Sequence, residues 1–95
     1  MFVILLDYIK PLSEVDAFAA EHREFLERYY ASGHFLVSGR KEPRTGGVII
    51  ATGRAKAEIE EIIRHDPFHQ EGIARYEIVE FRPTMSAPAL ADFKI

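Results

Sequence analysis

Short apolar runs alternate with amphipathic stretches along this chain, and their order predicts the fold. Residues 2 to 9, FVILLDYI, are bulky, partly β-branched and too few for a helix, so they predict a first strand that Pro11 stops. From Ser13 to about Ser32 the apolar positions are Val15, Phe18, Ala19, Phe25, Leu26, Tyr29 and Tyr30, which share a face at three- and four-residue spacing. The spacing predicts one helix, capped by Ser13 and stopped by Gly33. Glu14 and Asp16 fall in its first turn, where the helix dipole favours acids. FLVSGRK at 35 to 41 predicts a second strand, EPRTGG a turn, and VIIATG from Val48 a third strand. RAKAEIEEIIRH at 54 to 65 puts Ile59, Ile62 and Ile63 on one face of a second helix, which Pro67 ends. RYEIVEFR at 75 to 82 predicts the fourth strand.

The order β-α-β-β-α-β is the ferredoxin-like arrangement, an α+β fold with an antiparallel sheet and both helices on one face. Strands one and three lie at its centre. The domain is expected over 1–83, with 84–95 a tail of changed composition. The tail ends in apolar Leu90, Phe93 and Ile95; it reads either as a frayed terminus or as an arm packed on a neighbouring subunit. Both faces of the central strands are apolar: Val3, Leu5 and Ile9 alternate with Phe2, Ile4, Leu6 and Tyr8, and Val48 to Ala51 repeats the pattern. A sheet with one solvated face would alternate apolar and polar. The helices cover one face, so a second copy of the sheet is the simplest cover for the other. A homodimer, sheet against sheet, is expected, with further assembly open.

One position interrupts the first helix's stripe. His22 has Phe18 and Ala19 behind it and Phe25 and Leu26 ahead, while Glu21, Glu24, Glu27 and Arg28 take the opposite face. A buried polar group needs a partner. The best candidate is Asp66 in RHDPFHQEG, at the end of the second helix and on the same side of the sheet. An aspartate on one imidazole nitrogen fixes the tautomer and leaves the other nitrogen free as a base. Plainer readings stand beside this one. His22 can be a core histidine bonded to a backbone carbonyl, and Asp66 can cap a short turn starting at Pro67. A capping aspartate still has an oxygen to present elsewhere.

Composition narrows the class. The 95 residues fit one domain, and 47% hydrophobic with 28% charged residues is a folded, not a disordered, composition. A net charge of −3 without a basic block argues against nucleic-acid partners. No cysteine is present, so disulfides and thiol chemistry are excluded. MFVILLDYIK lacks a basic n-region and a small-residue cleavage site, and no apolar run is long enough to span a bilayer. A cytoplasmic protein without membrane partners is expected.

Several motifs together resemble the YciI-like (YCII-related) family of dimeric α+β barrels. They are H-x-x-F-L at His22, Phe25 and Leu26, FLVSG at 35 to 39, PRTGG at 43 to 47, DPF at 66 to 68 and EFRP at 80 to 83. Each is weak alone; in this order they span nearly the whole chain. The resemblance implies a histidine–aspartate pair as the site, which maps onto His22 and Asp66. At least one family member resembles a cofactor-free dehydrochlorinase acting on a chlorinated hydroxyquinol-type ring, and related barrels include muconolactone isomerases and quinol monooxygenases. One departure stands out: Arg40 follows Gly39 where the family often has proline, which changes the charge there.

Other residues are weaker candidates. Ser38 and Arg40 share one face of the second strand, as a hydrogen-bond donor and an anion anchor for substrate; an exposed edge arginine is the plain alternative. Phe68 and Tyr8 are candidate pocket walls or core. PRTGG reads as a turn, since neither a Walker pattern nor a dinucleotide fingerprint is present. His65 and His69 flank Asp66, but Pro67 breaks the helix between them, so no metal site is expected. The expectation is therefore an enzyme without cofactor, acting on a small cyclic or anionic molecule by proton abstraction that leads to isomerisation or elimination. The alternative is a non-catalytic ligand-binding or oligomerisation module.

Overall fold

In FVILLDY the side chains of Phe2, Ile4 and Leu6 are buried while Val3, Leu5 and Asp7 are half-buried, the alternation of a strand with one face on a core. The computed structural model describes residues 1–94; Ile95, one of the tail's expected apolar contacts, lies outside the described residues. The elements are β1 (Phe2–Tyr8), α1 (Leu12–Ala17), α2 (Ala19–Ala31), β2 (Phe35–Arg40), β3 (Gly46–Ala51), α3 (Lys56–Ile63), α4 (Pro67–Gln70) and β4 (Ala74–Glu80). The sheet has the order β2-β3-β1-β4 and every pairing is antiparallel, so β1 and β3 are central, as the sequence predicts. The α+β, ferredoxin-like arrangement is the observed one.

β3 starts at glycine for a steric reason. A Cβ on Gly46 would sit 1.8 Å from the Leu6 carbonyl oxygen, so only glycine lets β3 close on β1 there. The core lies between the sheet and the helices. Phe2, Ile4 and Leu6 pack with Val15, Phe25, Phe35, Ile59, Ile62, Ile63 and Phe68. Each such side chain contributes about 1.5–3 kcal/mol by leaving water.

The first helical stretch departs from expectation. It is two helices, α1 and α2, broken at Phe18, whose φ of −111° and ψ of 8° leave the helical region. The Phe18 N–H bonds the Val15 carbonyl at 3.2 Å, closing α1, and the Phe18 carbonyl accepts from His22 N–H at 3.0 Å, opening α2. No proline or glycine marks this break, because the Phe18 ring packs against the core and tertiary contact sets it. Ser13 is not the cap: the helix begins at Leu12, with Pro11 at the cap position and no side-chain cap bond. Asp16 is also not in the first turn. It lies late in α1 and pairs with Arg44 at 2.5 Å. Gly33 does end α2, with φ of 86°.

The sheet's second face is uncovered among the described residues. Val3, Leu5, Val48 and Ile50 are half-buried there, and Val37 and Val79 are 58% and 42% exposed. A half-buried Asp7–Lys41 ion pair, 2.6 Å apart, sits at the margin and holds the Asp7 carboxyl below its ordinary range. Past β4 the chain buries Pro83, leaves Met85 exposed and makes 3-10 turns over Pro88–Phe93.

Candidate functional site

Asp66 is fully buried, which an unpartnered carboxylate would not tolerate. Its position follows from sequence: Pro67 ends the α3 segment and takes the first position of α4, which leaves Asp66 as the cap. Oδ1 accepts the Phe68 N–H at 2.9 Å, the capping bond. The same oxygen accepts from His22 Nδ1 at 2.8 Å, and Oδ2 accepts from the Tyr76 hydroxyl. Three donors from α2, α4 and β4 therefore meet on one carboxylate. Capping and pairing with His22 are not alternatives here; one oxygen does both.

The Tyr76 donor is fixed in its protonated form. Burial, and then the neighbouring Asp66 charge, push the phenol pKa far above its ordinary value. Tyr76 follows Ala74 and precedes Ile78 on the strand face that looks toward the helices.

His22 is held on two sides. Its ring stacks face to face on Phe68, with centroids 4.0 Å apart and planes 5° from parallel, and Phe25 lies 6.2 Å away. Because the carboxylate accepts at Nδ1, the neutral ring carries its proton on Nδ1 and leaves the Nε2 lone pair free. The imidazole is 17% exposed and lines a cleft of about 340 Å³ between α1, α2 and the sheet.

Of the predicted site residues, His22, Ser38, Arg40 and Phe68 line this cleft, while Asp66 lies buried behind His22. Phe68 forms a buried wall, and Tyr8 packs edge-on to it at 6.0 Å. Ser38 lines the cleft with its hydroxyl bonded to Tyr30 on α2, which ties β2 to that helix. Arg40 lines the rim, exposed and without an ion pair among the described residues. His65 pairs loosely with Glu61, and the His69 ring lies against Tyr76; neither joins the cleft.

Two residues of the site, Tyr76 behind Asp66 and Arg44 in the cleft wall, escape a reading of sequence. Tyr76 offered a usable signal, since a tyrosine on a buried strand face needs a partner for its hydroxyl. Arg44 offered none. It belongs to the PRTGG turn, yet it reaches into the cleft and is anchored by Asp16. That bond raises the guanidinium pKa further, so it is cationic throughout. Its Nε is shut off from solvent without an acceptor, a state that costs about 1–3 kcal/mol for a buried donor.

The model of the YCII-related domain matches residues 1–82. The chain belongs to the YCII-related family. No curated protein matches it. Among solved structures, this YCII-related chain is similar to the 5-chloro-2-hydroxyhydroquinone dehydrochlorinase TftG of Burkholderia phenoliruptrix AC1100, in complex with 2,5-dihydroxybenzoquinone. The TM-score is 0.72 at 19% identity, covering 87% of this chain and 95% of that one. The likeness establishes a shared fold. No helix among the described residues of the YCII-related chain is long and apolar enough to cross a membrane.

Proposed function

We propose that the chain is a cofactor-independent enzyme, a lyase or isomerase, acting on a small cyclic organic molecule through His22. The observation that carries this reading is the bond from His22 Nδ1 to a fully buried Asp66 that two further donors hold in place. In the cycle His22 Nε2 takes a proton from a carbon next to a carbonyl, or from a phenol hydroxyl, and becomes imidazolium. Asp66 stabilises that charge without taking the proton. The substrate's electron pair then shifts, either to expel a leaving group such as chloride or to move a double bond. In isomerisation Nε2 returns its proton to another carbon; in elimination it returns it to solvent. Phe68 and Tyr8 supply flat apolar walls for a ring, and Ser38 and Arg40 stand at its edge as polar contacts. The occurrence of this fold in a dehydrochlorinase, solved with 2,5-dihydroxybenzoquinone, supports the reading.

A panel of lactones and chlorinated phenols, assayed with the wild type and with His22→Gln, tests the reading. Turnover by the wild type alone supports it. Equal turnover by both proteins refutes it, and the pair is then a structural seam in a binding module.

We also assign a second copy of this chain to the uncovered sheet face. Val3, Leu5, Val37, Val48, Ile50 and Val79 make that face apolar at its centre, and the tail lies free to embrace a neighbour. Sedimentation is expected to give twice the chain mass, and Val79→Glu to give the monomer. A wild-type monomer at high concentration would contradict the assignment.

A further inference from the structure

The cleft beside His22 has a charge opposite to that of the chain. Arg23, Arg40 and Arg44 line it, and no carboxylate does, although the net charge is −3. These guanidiniums come from α2, β2 and the turn before β3, so the fold gathers them from separate parts of the sequence.

Arg44 is the one built into the wall. Its side chain is 34% exposed, and Asp16 on α1 takes one Nη at 2.5 Å. The turn that carries it is pinned as well: the Thr45 carbonyl accepts from Tyr8 N–H at 2.9 Å, and Thr45 N–H bonds the Pro43 carbonyl at 2.8 Å. The other Nη makes no hydrogen bond among the described residues, and Nε is enclosed without an acceptor. A guanidinium carries five donors in a planar fork. Here one carboxylate, that of Asp16, serves it with the Tyr8 hydroxyl close by, while the apolar walls of Leu6, Val15 and Phe68 thin the water that would otherwise screen its charge.

We infer that the cleft selects an anion, a ring bearing a carboxylate or an ionised phenol, and that Arg44 is the group that binds the anionic oxygen. Arg40 and Arg23 at the rim attract the ligand without fixing it. The inference rests on the reading of this cleft as the substrate site, and deepens it: His22 meets the reacting end and Arg44 the charged end. Asp16 then serves as a brace that orients the fork and leaves it cationic.

The probes are benzoate and its neutral isostere benzamide, titrated into the full chain and followed through arginine side-chain and histidine ring signals in ¹⁵N–¹H spectra. The enclosed Nε–H of Arg44 is expected to exchange slowly with water and to serve as the reporter. Benzoate is expected to shift the Arg44 and His22 signals together, and benzamide to bind roughly 10- to 100-fold more weakly. Arg44→Gln should lose the same factor, Arg44→Lys should fall between, and Arg40→Gln should change affinity only a few-fold, in a salt-dependent manner. Thermal melts of each variant establish that it is folded. Equal binding of benzoate and benzamide, or unchanged benzoate affinity in a folded Arg44→Gln, would overturn the inference. Neither result touches the His22 turnover test, so the two readings fail separately.

Discussion

Asp66→Ala is expected to destabilise the domain by about 3–5 kcal/mol, the scale for removing one partner from a buried charged network. The substitution strips the acceptor from three groups at once: the Phe68 N–H, His22 Nδ1 and the Tyr76 hydroxyl. It also removes the cap of α4, a loss of about 0.5–2 kcal/mol that is part of the same total. Domains of this size have about 5–15 kcal/mol in all, so the variant should be marginal at physiological temperature. Asp66→Asn separates charge from bonding. The Phe68 N–H is always a donor, so it holds the amide oxygen at the Oδ1 position, where it also accepts from His22. The amide NH₂ then faces Tyr76, whose hydroxyl turns to accept. Asp66→Asn should therefore fold well while losing roughly 100-fold in turnover, because no charge stabilises the imidazolium. Urea unfolding of both variants measures the contrast. A cost below 1 kcal/mol for Asp66→Ala would mean that the network is not the keystone described here.

His22→Gln is expected to lower kcat/KM by roughly 10²- to 10⁴-fold, the usual contribution of a positioned general base. Glutamine keeps a donor for Asp66 and a side chain that lies on Phe68, so the fold and the cleft persist. It has no group that can take a proton near neutral pH. The comparison thus isolates the lone pair on Nε2 from the packing of the ring. His22→Phe complements it: the stacking on Phe68 is retained, but Asp66 loses one of its three donors. That variant should lose both turnover and stability. A His22→Gln enzyme within threefold of the wild type would remove His22 from the chemistry.

Local patterns and tertiary contacts are unequally visible in the sequence. Period-two and period-3.6 patterns are local, and they placed four strands, their order and the buried isoleucines of α3. His22 stood out because a polar ring in an apolar stripe requires a partner, and Asp66 followed because the topology brings the ends of both helical segments to one side of the sheet. What escaped depends on tertiary contact. The break at Phe18 has no proline or glycine to announce it; it arises where the ring packs against the core. Asp16 looked like a helix-dipole residue because its partner Arg44 is 28 positions away in a turn. Tyr76 carried a readable demand for a partner, yet only the β1–β4 register, with Leu6 opposite Tyr76, sets where its hydroxyl ends. Arg44 was hidden most completely, since a glycine-rich turn accounts for every residue around it without invoking its side chain.

The most direct measurement is the ¹⁵N spectrum of the His22 ring at pH 8, where an ordinary imidazole is neutral. One protonated, pyrrole-type nitrogen at Nδ1 and one bare, pyridine-type nitrogen at Nε2 are expected, with the Nδ1 proton protected by its bond to Asp66. A ring protonated on Nε2, or two nitrogens averaged as in a freely exposed histidine, would contradict this expectation and leave His22 without the fixed base on which the proposed chemistry depends.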